Sequence, residues 1–111
     1  MNKADYLKQI PESAILNNCL YYLRQKGYTV WRNNTGASKY QNKDGSWRTV
    51  KFGVKGQPDI IGFTDNGKFI FWECKRHGKK PTRDQLEFIN NALESGAIGG
   101  WGTDEDCFNY F

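Results

Sequence analysis

Residues 56–75, GQPDIIGFTDNGKFIFWECK, set the tightest limit on what this chain can fold into. Two apolar runs, DIIGF and FIFWE, flank Asp65-Asn66-Gly67, and β-branched and aromatic runs around such a turn predict a hairpin of two buried strands. Each strand nevertheless carries a carboxylate: Asp59 opens the first, Glu73 lies near the end of the second, and Lys75 follows two places later. Side chains alternate along a strand, so Phe69, Phe71, Glu73 and Lys75 share one face and Ile70, Trp72 and Cys74 the other. With a three-residue loop, Asp65-Asn66-Gly67, Thr64 pairs with Lys68, and counting back sets Asp59 directly opposite Glu73. Two carboxylates whose β-carbons are about 5 Å apart repel unless a proton or a cation sits between them. With a two-residue loop, Asn66-Gly67, the register slips by one and Asp59 faces Cys74 instead.

The rest of the chain supplies elements to pack on this hairpin. Pro11 suits a first helical turn, and Ile15, Leu16, Cys19, Leu20, Tyr22 and Leu23 follow at helical spacing, ending before Gly27. Glu12 falls at the centre of that apolar stripe at ~100° per residue, which points it inward. An acid in a first turn is equally favoured by the helix dipole and can be exposed. YTVWR (28–32) reads as a strand and NNTGAS as a turn, and KYQNKDGSWRTVKF (39–52) reads as a polar β-hairpin around Asp44-Gly45. Thr82 can cap a helix bearing Leu86, Ile89, Ala92 and Leu93 and stopping at Gly96; AIGGWG then reads as a strand and TDEDCFNYF as a last helical turn or two. The expected fold is α/β in the order α-β-β-β-α-β, a small mixed sheet flanked by helices, with a basic hairpin inserted after the first strand.

At 111 residues the chain is the size of one domain with one core, so residues 1–111 are taken as a single unit. No apolar stretch approaches the ~20 residues that cross a membrane, and the amino terminus lacks a signal-peptide centre; the expectation is a soluble, cytoplasmic protein. Three widely spaced cysteines with a single histidine, His77, make no zinc pattern, and Cys19, Cys74 and Cys107 read as buried thiols. Net charge is only +4, but it is concentrated. Residues 32–55 hold Arg32, Lys39, Lys43, Arg48, Lys51 and Lys55 against Asp44 alone, and residues 75–83 hold Lys75, Arg76, Lys79, Lys80 and Arg83 against no acid. Such runs are often only solvated, but two of them, with Tyr40 and Trp47 interleaved in the first, favour a polyanion and nucleic acid in particular. Oxygen ligands without a histidine or thiolate cluster favour a hard ion, Mg2+ or Mn2+.

Gly56-x-Pro58-Asp59, then Glu73-Cys74-Lys75, then Gln85 on the next helix resembles the PD-(D/E)XK nuclease superfamily in its E-x-K form. Within it the chain is similar to the VRR-NUC family: a glutamate in the first helix (Glu12), Arg32-Asn33-Asn34-Thr35-Gly36 after the first strand, Lys55-Gly56-Gln57-Pro58-Asp59-Ile60-Ile61-Gly62, and a basic turn leading to a glutamine-bearing helix. The resemblance spans about residues 12–107, with Cys74 where an aliphatic residue is common. It implies a restriction-endonuclease-like core in which Asp59, Glu73 and the Cys74 carbonyl bind the metal, with Glu12 a direct or water-mediated ligand. Lys75 would orient the attacking water and Gln85 would contribute; a Thr82-x-x-Gln85 capping box competes for the Gln85 amide, and the two roles can coexist. Arg76, Lys79, Lys80 and Arg83 would contact the DNA backbone, and the basic hairpin would embrace substrate or a partner subunit; Arg32, Lys39, Arg48, Lys51 and Lys55 complete the candidate DNA-binding set. Stand-alone members of that family are typically small phage or bacterial proteins acting as homodimers on branched DNA, including four-way junctions, which for a phage protein means the bacterial cytoplasm. A restriction-type or non-specific nuclease on the same scaffold, and a nucleic-acid-binding module without turnover, are the competing expectations.

Overall fold

A computed structural model describes residues 2–33, 37–51 and 54–111. Pro11 has no N–H to donate and disfavours a helical residue before it, so the amino-terminal segment forms two helices where the sequence predicted one. The first, α1 (Lys3–Lys8), is capped by Asn2, whose Oδ1 accepts from Asp5 N at 2.9 Å, and it buries no residue. The second, α2 (Glu12–Gln25), buries Ile15, Leu16, Cys19, Leu20 and Leu23, each aliphatic one stabilising the fold by roughly 1.5–3 kcal/mol. It closes in a Schellman pair, with Gly27 N donating to Arg24 O and Tyr28 N to Leu23 O. α3 (Arg83–Glu94) ends the same way, with Gly96 N on Leu93 O and Ala97 N on Ala92 O.

The main sheet runs β1 (Thr29–Arg32), β4 (Ile60–Phe63), β5 (Phe69–Cys74), β6 (Ile98–Gly102), in that spatial order. β1/β4 and β4/β5 are antiparallel, and β5/β6 is parallel because α3 carries the chain back across the sheet. The inserted hairpin, β2 (Ala37–Gln41) with β3 (Trp47–Lys51), makes a separate two-stranded sheet. The turn predicted at 33–38 lies largely outside the described residues.

The turn between β4 and β5 has three residues. Thr64 N donates to Lys68 O and Gly67 N to Thr64 O, both at 2.9 Å, and Gly67 sits at φ +81°, a conformation open to glycine at little cost. That loop gives the register Ile60↔Trp72, and one step further Asp59 stands across from Glu73.

The two faces of the sheet are covered unequally. Val30, Ile60, Ile70, Trp72 and Cys74 meet α2 and α4 (Asp104–Tyr110) in one apolar core that also takes in Cys19 and Cys107. On the other face Phe71 is fully buried, with Phe88 of α3 edge-on at 6.3 Å between ring centroids. Helices therefore flank both sides of a small mixed sheet, as the sequence predicted.

Candidate functional site

The segment that delivers Asp59 is held from three directions. Pro58 is fully buried. Asn33, just past β1, donates through Nδ2 to Gln57 Oε1 at 2.7 Å and to Pro58 O at 3.1 Å, while its backbone N–H reaches Asp59 O at 2.6 Å. Gly56, at φ +78°, lies against the start of α3 so closely that a β-carbon there would overlap the Asp84 carbonyl. In the sequence Asn33 stands out only as part of a motif; its clamp on residues 57–59 spans more than twenty positions and leaves no local signal.

With the segment fixed, the Asp59 side chain turns onto β5, where Oδ2 accepts from the Cys74 backbone N–H at 3.0 Å. Beside it Glu73 is only 2% exposed. One of its carboxyl oxygens, Oε1, lies 3.9 Å from Lys75 Nζ, and the other, Oε2, is buried with no partner. Burial, then the adjacent Asp59 carboxyl, push the Glu73 pKa up to about 9, with Lys75 opposing and the Glu12 charge adding a smaller upward push. The site is thus a carboxyl pair in which burial and the neighbouring Asp59 favour the protonated form of Glu73. The Lys75 side chain is 14% exposed, and the strand is anchored at that point by Lys75 N donating to Gly102 O at 2.8 Å.

Glu12 takes the exposed one of its two expected placements. It lies at the first position of α2 and is exposed, not turned into the core. The helical wheel gives its azimuth correctly, but the first turn projects beyond the packed layer, so the stripe has nothing to face there; its field still reaches Glu73. Gln85 is held in the capping box: its Oε1 accepts from Thr82 N at 2.9 Å, and its own N–H donates to Thr82 Oγ1 at 3.3 Å. Its neighbour Asp84 touches Gly56, which keeps Gln85 near the segment feeding Asp59. The Cys74 side chain points away from the carboxylates into the core, where the neighbouring Cys19 sulfur and burial hold the Cys74 and Cys107 thiols well above their ordinary pKa. Among the described residues, no group of three or more His, Cys, Asp and Glu side chains gathers closely enough to hold a metal ion. The donors on hand are two carboxylates and backbone carbonyls.

The basic residues divide between free and engaged. Lys79 and Lys80 are exposed and share a cleft with Lys75, Arg83 is exposed at the start of α3, and Arg32 is exposed at the end of β1. Arg76 donates through Nη2 to Lys8 O at 2.7 Å with its Nε buried, so it pins the basic turn to the end of α1. Lys55 pairs with Asp84 at 3.3 Å on the surface, where such a pair contributes little. On the hairpin, Lys39, Trp47 and Thr49 border one hollow, and on its other face Arg48 lies over the Tyr40 ring at 5.8 Å. Lys51 ends β3, and its side chain lies outside the described residues. A groove of about 480 Å3 along α3, lined by Val54, Asp84, Glu87 and Phe88, includes none of the predicted carboxylates, whereas Lys75 borders a smaller cleft of about 270 Å3.

No family model matches the chain, and no solved structure matches it. A protein of Acyrthosiphon pisum secondary endosymbiont phage 1 described as "Putative nuclease p44" is 46% identical over 41 residues, a stretch covering 37% of this chain and 44% of that protein. The match therefore spans less than half of the curated relative.

Proposed function

We propose that this chain is a metal-dependent DNA endonuclease that hydrolyses phosphodiester bonds, selective for branched DNA such as four-way junctions, and that it works as a homodimer. The observation that carries the reading is the buried Glu73 carboxyl beside the partly buried Asp59 carboxyl, with Lys75 alongside, an arrangement that disfavours the charged form of Glu73. The partial likeness to a phage protein described as a nuclease supports the same class of chemistry.

The residues fit Mg2+ or Mn2+. Glu73 Oε2 is buried without a partner, Asp59 adds a second hard oxygen, and the Cys74 carbonyl a third. An octahedral ion that retains several waters needs only one or two protein carboxylates, which matches a site with two rather than three. Glu12, exposed at the same end of the sheet, would act through water. When bound, such an ion polarises the scissile phosphate and makes water a better nucleophile.

The chain's own groups then have distinct tasks. Lys75, directly after β5, orients the attacking water and stabilises the charge that develops on the phosphate oxygens. Asp59 keeps its place through the Cys74 N–H, so one carboxylate of the pair is preorganised before substrate arrives. Gln85 positions the segment carrying Asp59 through the start of α3. Lys79, Lys80 and Arg83 hold the backbone next to the cut, and the β2–β3 hairpin reaches along the DNA with Lys39, Arg48 and Trp47. One site cuts one strand, so paired incisions at a two-fold branch call for two copies.

The test compares wild type with Lys75→Ala on labelled four-way junction, flap and linear duplex, with Mg2+ and with chelator. Nicking of the junction that requires both metal and Lys75, with binding retained by the variant, is the expected result. Equal cleavage by Lys75→Ala sinks the mechanism, equal cutting of linear duplex sinks the branch selectivity, and binding without any cleavage leaves a nucleic-acid-binding module.

A further inference from the structure

β6 runs parallel to β5 at the edge of the sheet, and its register sets Trp101 beside Glu73 on the same face. The indole is 38% exposed, far above the core aromatics of this sheet. Across from it, the turn after β5 closes through Lys79 N donating to Arg76 O at 3.0 Å, and the Arg76 bond to Lys8 O fixes that turn in place. Between the two lies the cleft of about 270 Å3, bordered by Lys75, Lys79, Lys80 and Trp101. Asp106 is the acid on its rim, but its Oδ2 is committed to Thr103 N at 2.9 Å and Thr103 Oγ1 at 3.1 Å within the cap of α4.

From this arrangement we infer that the cleft is a subsite for one unpaired nucleotide next to the scissile phosphate: Trp101 stacks on the base, and Lys79 and Lys80 hold the flanking phosphates. The inference rests on the nuclease reading for the position of the scissile phosphate, which lies at Lys75, and adds to it a physical basis for selectivity. The cleft is smaller than the ~300 Å3 at which sites for drug-sized ligands begin, so it has room for one flat heterocycle and none for a duplex. An indole face stacks on any base, while ammonium groups contribute sequence-independent attraction to phosphate. A base reaches such a pocket only where it has left the duplex stack, as at a branch, a flap or a frayed end. Selectivity for branched DNA then comes from the ease with which a base at a branch leaves the stack rather than from a base sequence.

The experiment measures equilibrium binding by anisotropy in chelator, so that neither metal nor cleavage enters. The probes are a labelled duplex with a short single-stranded arm, the same duplex blunt, and the armed duplex with abasic nucleotides at the branch. On the armed probe Trp101→Ala loses about 5- to 100-fold in affinity, and Trp101→Phe less than about 3-fold. Abasic nucleotides weaken wild type to the same degree, and combining them with Trp101→Ala weakens it no further. Lys79→Ala with Lys80→Ala, which alters no core residue, lowers the salt slope by roughly 0.7 per charge on the armed probe. Unchanged binding by Trp101→Ala overturns the subsite, as does an equal loss on the blunt duplex, or indifference of wild type to the abasic nucleotides. A chain that shows the stacking signature yet never cuts sinks only the catalytic reading, and one that cuts with Trp101→Ala binding unchanged sinks only the subsite.

Discussion

Glu73 is where burial and charge conflict most directly. Its carboxyl is almost sealed from water, sits beside another carboxyl, and has a lysine at the limit of ion-pair distance. With its pKa raised to about 9, the folded protein holds a proton there that the unfolded chain releases near pH 4.5. The unfolded state then binds fewer protons between those values, so this residue's contribution to stability is full below about pH 4.5 and is lost as pH rises towards 9. Glu73→Gln removes that dependence. In metal-free buffer the variant is expected to match wild type near pH 4.5, to exceed it at pH 8 by a margin of order a few kcal/mol, and to lose any stabilisation by Mg2+. Chemical denaturation at several pH values with and without Mg2+ checks all three; a Glu73→Gln protein less stable than wild type at pH 8 would make Glu73 a structural partner of Lys75.

At the scale of elements, the site depends on two glycines for different reasons. Gly67 needs its left-handed backbone and nothing else, since a β-carbon there meets no atom within 4 Å. Gly67→Ala is therefore expected to cost about 1–2 kcal/mol with cleavage per folded molecule unchanged. Gly56 has the same backbone demand and also lies against the Asp84 carbonyl, so Gly56→Ala adds a further ~1–3 kcal/mol and shifts the segment that aims Asp59. Urea midpoints rank the two, and cleavage assays show activity lost only with Gly56→Ala. The same contrast between local and distant demands governs what is legible in the sequence. The Asp65-Asn66-Gly67 turn, both Schellman helix ends and the alternation along β5 follow local rules, so the pairing of Asp59 with Glu73 is visible once the loop length is settled. α1 is not legible because six residues with no buried member carry no apolar period. The exposure of Glu12 escapes the helical wheel because periodicity gives direction around a helix and not depth along it. The grip of Asn33 on Pro58, the bond of Arg76 to Lys8, and the place of Trp101 beside Glu73 join distant segments, and no local pattern encodes them.

Across the whole molecule, the packed core and the inserted basic hairpin are separate parts. The four-stranded sheet and its helices contain the core, while among the described residues the β2–β3 hairpin pairs only with itself and shows its aromatic residues to solvent, Trp47 at 66%. Asp44 closes its turn by accepting from Ser46 N and Oγ, so the hairpin is ordered by its own bonds rather than by burial. Replacing residues 37–51 with a short Gly-Ser linker should therefore leave the thermal midpoint of the core within a few degrees of wild type. Lys39, Lys43, Arg48 and Lys51 go with it, and each phosphate that is no longer neutralised lowers the salt slope for duplex DNA by roughly 0.9, up to about 3.6 in total. Binding to duplex arms measured across a salt series should flatten accordingly, while the Trp101-dependent preference for an unpaired base persists. Parallel salt lines for the two proteins would mean that the hairpin faces something other than the DNA backbone, and its aromatic and cationic faces would then belong to contacts between subunits.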